Sequence, residues 1–240
     1  MKNIEVALIG YGKMGKMIEE VCLERGHHIK CTIDSDEDWK QKTHLVETAD
    51  VAIDFSLPQT AVAHIQTLLG RNIPLVIGTT GWYAQLAEIT ALCHQKNAAL
   101  FYAPNFSLGM NMVFQLNKQL AHLINATGYH LSIKETHHIH KLDAPSGTAL
   151  QLANDIIENN KAYSRWAITD MPDSEVLPIE VHREGEVNGI HEIIASSPED
   201  SISLRHEAFS RRGFALGAVV AAEFLVGKKG IFNMNDLLQV

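Results

Sequence analysis

The sequence VALIGYGKMG, from Val6 to Gly15, decides the fold of the first part of this chain. Its apolar start is typical of a buried strand, and Gly10, Gly12 and Gly15 follow in GxGxxG spacing before a helical pattern begins. Glycines at these positions allow a tight turn, close approach of a pyrophosphate to the backbone, and packing of the helix against the strand. The free N–H groups of the helix start would then face the phosphates. The stretch therefore predicts a dinucleotide-binding loop.

An acid in the expected place supports this prediction. Asp34 ends the next predicted strand, 19 residues beyond Gly15, where a carboxylate accepts hydrogen bonds from the adenosine ribose. Because Ser35 rather than an arginine follows, a 2′-phosphate would be repelled, which favours NADH. Lys13 could compensate in part, so the use of NADPH stays open. The alternative is a glycine-rich turn that only packs, with Asp34 as a solvated loop acid.

The first hundred residues alternate short β-type runs with longer helical patterns. The predicted strands are 4–9, 28–34, 51–56, 74–79 and 98–103, and the predicted helices are 13–26, 59–71 and 82–97. This alternation indicates a parallel sheet flanked by helices, the arrangement of a Rossmann-type domain. The segment 35–50 is polar and short, so we expect only a stunted crossover helix there.

Two further loops follow the fourth and fifth predicted strands. The first is IGTTG, which ends with Gly78–Gly81, and the second is APNFS, Ala103–Ser107. Ligands of an open parallel sheet sit at this edge, and small or hydroxyl-bearing residues suit a ribose and a nicotinamide. Turn chemistry alone is the other explanation for both loops.

The pattern changes after residue 105. The predicted elements are a long helix from about Ser107, a strand at 129–135, a helix from Pro145 to about Asn160, and strands at 177–184, 189–196 and 201–209. We expect an antiparallel sheet with helices on one face, and a helix after Gly213 that returns to cover the first sheet. The predicted fold class is α/β: a Rossmann-type dinucleotide-binding domain of residues 1–106 and 213–240, plus an α+β domain of residues 107–212.

The stretch ETHHIHKLDAPSGTAL, from Glu135 to Leu150, places His137, His138, His140 and Lys141 within five positions. Chance clustering is one explanation, because the chain contains 13 histidines. A metal site is another, because imidazoles are common metal ligands. An anion-binding catalytic site is the third.

The residues downstream favour the third explanation. Apart from Asp143, no nearby cysteine or acid cluster would complete a metal shell, so we predict no metal. Pro145 suits the first helical position, which would leave the N–H groups of Gly147 and Thr148 free to hold a carboxylate. Repulsion between Lys141 and a histidine would lower a pKa and ease proton transfer near neutral pH. We therefore expect a small dicarboxylate as the ligand.

Composition narrows the class of protein. The formal net charge of −8 and the lack of any long Lys/Arg-rich stretch argue against a nucleic-acid surface. The longest apolar run, Phe214–Gly227, is interrupted by Glu223 and is too short to span a bilayer. Three cysteines without metal spacing favour a reducing cytoplasm over secretion. We expect a cytoplasmic protein whose partners are small molecules or other protein chains.

At this point the resemblance to a known family is specific. HHIHKLDAPSGTA resembles the signature of the dihydrodipicolinate reductases, also called 4-hydroxy-tetrahydrodipicolinate reductases, of the diaminopimelate route to lysine. Similar stretches extend along nearly the whole chain: VALIGYGKMG, DVAIDFS, VIGTTGW, APNFSLGMN, HREGEVNGIHEI and RHEAFSRRGFALGAVVAAEFL. This chain departs from many members in a shorter glycine loop, no Arg after the ribose acid, and a shorter segment before the third strand. These departures bear on cofactor preference.

The resemblance implies roles for residues of both domains. His137 would be the general acid/base, Lys141 the proton donor, and His138, Gly147 and Thr148 the binders of substrate carboxylates. The implied cofactor contacts are Gly10, Tyr11, Gly12, Lys13, Met14, Asp34, Gly78, Thr79, Thr80, Ala103, Pro104, Asn105 and Phe106. A homotetramer assembled through the sheet of the second domain is implied as well. Reduction would deliver a hydride to ring C4 of a hydroxylated cyclic imine dicarboxylate.

Two rival functions remain for testing. A semialdehyde dehydrogenase of similar layout needs a thiol nucleophile, and Cys22, Cys31 and Cys93 all fall on predicted helices or strands of the first domain. A dinucleotide-sensing regulator would keep the fold and bind NADH without oxidising it. Such a regulator would have no need for His137 and Lys141 together beside a helix start.

Overall fold

The structure is a computed structural model that describes residues 3–170 and 173–239. Its strands are β1 Glu5–Ile9, β2 His28–Ile33, β3 Val51–Asp54, β4 Leu75–Ile77, β5 Ala99–Tyr102, β6 His130–His137, β7 Arg165–Ile168, β8 Val176–Arg183, β9 Ile190–Ser196, β10 Ser201–Glu207 and β11 Gly230–Phe232. Its α-helices are α1 Lys13–Glu24, α2 Asp36–Val46, α3 Pro58–Gly70, α4 Leu86–Lys96, α5 Leu108–Leu123, α6 Gly147–Asn159, α7 Arg212–Leu225 and α8 Met234–Leu238. The chain divides into two compact units, residues 1–108 with 212–240 and residues 109–211.

The first unit is built on a parallel sheet with the strand order β11-β5-β4-β3-β1-β2. Strands β1, β3 and β4 are buried along nearly their whole length, as expected for strands with helices on both faces. Strand β2 lies on one side of β1 in the sheet, and β3, the next strand along the chain, lies on the other side of β1. The strand order therefore reverses at β1, and ligands of such sheets bind outside the carboxyl ends of the strands at this point.

Two cores lie on opposite faces of this sheet. One contains α1 and α7, whose buried side chains include Ile18, Val21 and Val219. The other contains α3 and α4, with Ile65 and Ile89 fully buried. The predicted return of a helix after Gly213 to the first sheet is confirmed, because α7 packs in the core of this unit.

The second unit carries a mixed sheet with the order β10-β9-β6-β8-β7. Strand β6 pairs antiparallel with β9 but parallel with β8, and β7 also pairs parallel with β8. The prediction of an antiparallel sheet is therefore wrong for this half. The physical reason is a crossover: the chain leaves β6, passes through α6 and β7, and returns beside β6 in the same direction. Helices α5 and α6 pack on the core of this sheet.

Other predictions differ from the structure in detail. The segment 35–50 does not hold a stunted helix, because α2 has 11 residues. Ser35 caps α2 by accepting a hydrogen bond from the Asp38 N–H at 3.1 Å, and three acids lie in its first turn, where they complement the helix dipole. The short elements β7, β11 and α8 were not predicted.

Among the described residues, no helix combines the length and the apolar character needed to cross a membrane. The three cysteines are free and buried, in α1, β2 and α4. Their positions on regular elements of the first unit agree with the prediction.

Candidate active site

The glycine loop connects β1 to α1 and uses each glycine differently. Gly10 has φ +85°, and a Cβ there would lie 2.6 Å from the Phe55 carbonyl oxygen. A Cβ on Gly15 would lie 2.2 Å from the Gly10 carbonyl oxygen, so α1 packs directly on the loop. At Gly12 a Cβ would meet nothing within 4 Å among the described residues. Two glycines thus permit close packing, and the third leaves open space at the start of α1.

Asp34 follows directly after β2 and lies beside this loop. Its Oδ1 accepts a hydrogen bond of 2.8 Å from the Tyr11 N–H, which fixes the carboxylate next to the glycines. Gly10, Gly12 and Asp34 line one cavity of about 400 Å³. Cavities of this size hold small ligands, and the open space at Gly12 leaves the first-turn N–H groups of α1 free to meet a phosphate. The residues present therefore fit a dinucleotide.

Lys13 and Met14 begin α1, where Lys13 is exposed and Met14 packs against the core. The lysine side chain is thus available to an anion at the glycine loop. The methionine contributes packing as well as any contact with a ligand.

The loop after β4 is held by a buried carboxylate that the sequence analysis did not single out. Asp54, fully buried at the end of β3, accepts hydrogen bonds from Thr79 Oγ1 at 3.1 Å and from the Ser56 N–H at 2.8 Å. A Cβ on Gly78 would lie 2.2 Å from the Phe55 ring, and Thr80 is exposed. The Thr79 hydroxyl therefore holds the loop in place by its bond to Asp54, whereas Thr80 is exposed to solvent.

The loop after β5 is fixed by packing. Phe106 is buried against the rings of Phe55 and Phe101, with ring centroids 5.6 and 5.8 Å away. Asn105 Oδ1 accepts a hydrogen bond of 2.9 Å from the Ser107 N–H. Ala103 is buried and Pro104 is exposed. The predicted cofactor residues after β1, β2, β4 and β5 thus lie at the carboxyl edge of one sheet.

In the second unit the histidine stretch surrounds a buried acid, Glu135, on β6. The Ser146 N–H lies 3.1 Å from each Glu135 carboxylate oxygen, and Arg183 Nη2 lies 3.4 Å from Oε1. His137 Nδ1 and His191 Nε2 lie 3.6 and 3.7 Å from Oε2. We call these five residues the Glu135 cluster. Burial would raise the pKa of Glu135, but its polar contacts with His191 and Ser146 outweigh burial and lower that pKa to about 2.

His137 ends β6 and is buried beside this carboxylate. Burial first, and then the positive charges of His191, Lys141 and Arg183, lower the pKa of His137 to about 4 although Glu135 opposes the shift. The imidazole is therefore neutral at neutral pH. The residue before β9 leaves room for it, because position 189 is glycine and a Cβ there would lie 3.2 Å from His137 Nε2.

Lys141 lies on the loop after β6. Its Nζ lies 2.8 Å from Asp143 Oδ1, and this pairing lowers the pKa of the Asp143 carboxyl. Arg183 holds the same loop by donating to the Asp143 carbonyl at 2.6 Å and to the Lys141 carbonyl at 3.3 Å. Arg183 therefore connects the lysine loop to the buried Glu135.

The other two histidines of the stretch lie farther out. His138 is half-buried, with its ring 6.1 Å from that of His140. His140 is exposed and contacts Glu186 at 3.4 Å. His140 thus belongs to the surface rather than to the Glu135 cluster.

Helix α6 begins at Gly147, so the prediction of Pro145 as the first helical residue is wrong. Ser146 is the N-cap: its Oγ accepts from the Ala149 N–H at 3.2 Å and contacts His191 Nε2 at 3.1 Å. A serine N-cap satisfies the third helical N–H by its side chain, which explains why the boundary falls two residues later. The N–H groups of Gly147 and Thr148 have no partner among the described residues, as the carboxylate-binding prediction requires.

The Glu135 cluster also has the spacing of a metal site. One ligand atom each from Glu135, His137 and His191 lie within 4.8 Å of one another, and all three residues are buried. The Arg183 guanidinium and the Ser146 N–H already neutralise the carboxylate, so a cation would compete with them. The absence of a metal remains a prediction.

Sequence analysis missed Glu135, Arg183 and His191 as site residues. Arg183 and His191 lie on β8 and β9, which flank β6, so only the strand pairing brings them together. One signal was available: an acid two positions before a histidine on a strand points to the same face. Glu135 and His137 have this spacing.

The parallel sheet, its glycine loop and the acid after β2 define the first unit as a Rossmann-type dinucleotide-binding domain. Comparison with known families then gives the particular family. The model described as "Dihydrodipicolinate reductase, N-terminus" matches residues 4–106, and that described as "Dihydrodipicolinate reductase, C-terminus" matches residues 109–238. The chain belongs to the dihydrodipicolinate reductase family. The predicted family and α/β fold class are thus confirmed, and the family's N-terminal domain implies a pyridine nucleotide cofactor.

Individual relatives agree with this family assignment. A 4-hydroxy-tetrahydrodipicolinate reductase of Christiangramia forsetii is 44% identical over 98% of both chains. One of Methanopyrus kandleri is 38% identical over 81% of this chain and 73% of its own. The solved structure of a dipicolinate-bound dihydrodipicolinate reductase from Paenisporosarcina sp. TG-14 has the same fold, with a TM-score of 0.77, 23% identity, and coverage of 97% of this chain and 98% of its own.

Proposed function

We propose that this chain reduces 4-hydroxy-tetrahydrodipicolinate to tetrahydrodipicolinate, with loss of water, in lysine biosynthesis by the diaminopimelate pathway. The observation that carries this proposal is that one buried carboxylate, Glu135, contacts His137 and accepts from the N–H of Ser146, the N-cap of α6. Arg183 connects the loop of Lys141 to the same carboxylate. A cation, a buried imidazole and anion-binding amides suit a dicarboxylate that must be held and protonated. The 44% identity to a reductase of this name over nearly the whole chain supports the same activity.

The substrate carboxylates are bound by groups that do not react. Gly147 and Thr148 offer backbone N–H groups at the positive end of α6, and His138 adds a half-buried imidazole. Their contribution is orientation, because fixing a ring in a reactive position removes much of the entropic barrier. These three residues are assigned to substrate binding.

Proton transfer is assigned to Lys141 and His137. Loss of the C4 hydroxyl together with a proton from a neighbouring ring carbon gives a conjugated imine, and a bound reduced nicotinamide would supply the hydride that ring C4 accepts. Lys141 then donates a proton to the reduced ring, while Asp143 holds the ammonium in place before the substrate arrives. A histidine whose pKa is about 4 carries no extra proton at neutral pH, so His137 serves as the acceptor of the proton that the ring gives up when water leaves.

NADH is the proposed cofactor. Asp34 and Asp36 both line the cavity, and their negative charge opposes the extra phosphate of NADPH. Lys13 is exposed at the start of α1 and keeps NADPH as a usable second cofactor. Comparing kcat/KM for the two nucleotides measures this preference.

The protein is proposed to be a cytoplasmic homotetramer. Three free, buried thiols fit a reducing compartment. The resemblance to the family supports assembly through the sheet of the second unit. Light scattering after size exclusion should give four times the chain mass of 26.6 kDa.

The activity is tested with the fresh condensation product of pyruvate and aspartate semialdehyde. NADH absorbance should decay, and Lys141→Ala and His137→Gln should each lower kcat by about 100-fold, the scale of general acid–base catalysis. His140→Gln, an exposed histidine of the same stretch, is the matched control. A wild-type protein that binds NADH but oxidises neither NADH nor NADPH would instead be a dinucleotide-sensing regulator.

A further inference from the structure

The cavity at the glycine loop extends beyond the residues that hold phosphate and ribose. Besides Gly12 and Asp34, its lining includes Trp39 of α2 and His64 of α3. The rings of these two residues lie 5.4 Å apart, with 47° between their planes. The rings of Trp39 and His64 are not needed to bind phosphate or ribose, so another part of a ligand should account for them.

His64 is held by a buried acid. Its Nδ1 lies 2.8 Å from Oδ2 of Asp54, which is fully buried, and 3.2 Å from Ser56 Oγ. With Nδ1 occupied, Nε2 is the polar ring atom left for a ligand. The side chain of His64 is 15% exposed, so the ring is nearly fixed but still reaches the cavity. A buried carboxylate that orients an imidazole sets its tautomer and direction.

The lining of the cavity combines the groups that a dinucleotide needs for its pyrophosphate, its ribose and a base. Gly12 leaves open space at the start of α1, Asp34 follows β2 where the adenosine ribose is recognised, and Trp39 and His64 line the same cavity. A purine is a flat aromatic base with polar edges, and aromatic side chains bind such bases by stacking. The nicotinamide is the other base of the dinucleotide, but residues 78–80 and 103–106, where it is expected to bind, do not line this cavity.

We propose that Trp39 and His64 form the adenine-binding end of the nucleotide cavity, with Asp54 as the positioning residue for His64. This inference rests on the proposed use of a nicotinamide dinucleotide. The Trp39 indole provides the stacking face, and His64 Nε2 contacts the polar edge of the purine. Helix α2 thereby has a binding role in addition to its structural one.

The test measures binding directly, by calorimetry, with three probes: NADH, AMP, and reduced nicotinamide mononucleotide, which lacks the adenosine. Trp39→Leu should weaken NADH and AMP binding by about 10-fold or more, because stacking on an aromatic side chain is of this size. Trp39→Phe should give a smaller loss, and His64→Asn should weaken the same two probes. Binding of reduced nicotinamide mononucleotide should not change in any of these variants.

Two matched controls separate a binding role from a structural one. Trp166→Leu changes a half-buried tryptophan of the second unit, and His94→Asn changes an exposed histidine of α4, so neither should alter AMP binding. AMP should quench part of the tryptophan fluorescence of the wild type, and Trp39→Leu should abolish that quenching. Thermal melts identify any variant that has lost its fold, and if Trp39→Leu is such a variant, Trp39→Phe decides for that position.

The outcomes distinguish this inference from the proposed function. Folded Trp39→Leu protein that binds AMP and NADH like the wild type overturns the inference and leaves the reductase activity untouched. Equal weakening of reduced nicotinamide mononucleotide also overturns it, because a general distortion of the cavity would then be the cause. Wild-type protein that binds AMP through Trp39 but does not oxidise NADH contradicts the reductase activity and leaves the inference standing.

Discussion

Glu135 gathers the polar groups of the second unit around one buried carboxylate. It faces His137 and His191 at 3.6 and 3.7 Å, accepts from the Ser146 N–H, and contacts Arg183, which also holds the lysine loop. Removing one partner of such a network leaves the others buried without compensation. The position of Lys141 thus depends on a residue that is not expected to touch the substrate.

Glu135→Gln should therefore lower kcat with little change in KM for the nucleotide. The amide keeps the size of the side chain but removes the charge that orients His137 and anchors Arg183. Misplacement of catalytic groups by such a change costs about 10- to 100-fold in rate. Steady-state kinetics across pH measures both the loss and the altered pH profile.

Glu186→Gln is the control for this variant, because Glu186 is exposed and its carboxylate lies 3.4 Å from Nε2 of the surface residue His140. Wild-type kcat and an unchanged pH profile in Glu135→Gln would remove the positioning role. A loss of equal size in Glu186→Gln would point to a general effect of charge near the loop.

The buried histidine predicts how stability depends on acid. The pKa of His137 is about 4 in the folded chain, against 6.5 for a free histidine, so between these pH values the unfolded chain binds a proton that the folded chain does not. The contribution of His137 to the free energy of unfolding is therefore fully present above pH 6.5. It decreases as the pH falls toward 4, by at most about 3 kcal/mol. The lowered pKa of Glu135 also makes the folded protein less stable as the pH falls, between pH 4.5 and about 2.

His137→Gln should flatten the pH dependence of the free energy of unfolding between pH 4 and 6.5. Urea denaturation at several pH values measures it, with His140→Gln as the exposed control. An identical slope in wild type and His137→Gln would mean that His137 titrates normally in the folded protein.

The catalytic and substrate-binding residues that the sequence predicts lie close together along the chain. His137, Lys141, Gly147 and Thr148 all lie in one stretch, and the glycine loop is equally local. Arg183 could not be assigned because its role depends on pairing β8 parallel to β6, and strand register is not readable from one sequence.

At the scale of elements, α7 shows how closely the first unit is packed. Gly217 lies where this helix crosses the loop after β5, and a Cβ there would lie 1.7 Å from the Phe106 carbonyl oxygen. Gly213, one turn earlier on the same helix, has open space around it among the described residues. The same helix therefore contains one glycine without room for a side chain, Gly217, and one with room, Gly213.

Gly217→Ala should destabilise the protein by about 1–3 kcal/mol or more, because backbone must move to admit the methyl group. Gly213→Ala should be neutral or stabilising by up to about 1 kcal/mol, since alanine is the better helix former. Chemical denaturation compares the two. NADH affinity should fall only in Gly217→Ala, because Phe106 belongs to a predicted cofactor loop. Equal stability of both variants would contradict the close contact.

Elements with a strong apolar pattern were predicted within a few residues, and polar or short ones were not. Helix α2 buries only Val46 fully, so its apolar pattern is weak, although Ser35 and the acids after it form a recognisable helix start. The four-residue strand β7 has no fully buried side chain. Its neighbour β8 determines its place, which local sequence cannot indicate.

At the scale of the whole molecule, two discontinuous segments form the first unit. Residues 3–108 and 212–239 share one core, although 103 residues of the second unit separate them in sequence. The second unit has its own core. A ligand that binds residues of one unit should therefore stabilise that unit first.

Hydrogen exchange with mass spectrometry can test this expectation. A ligand present at 100 times its Kd stabilises the state that binds it by about 2.7 kcal/mol, which slows exchange through opening of that unit. NADH alone should protect β1, β3 and α7 together, because α7 packs on the sheet that holds the glycine loop. Dipicolinate alone, a dicarboxylate analogue of the substrate, should protect β6 and α6. Protection of β1 by NADH without protection of α7 would mean that the two segments do not unfold as one unit.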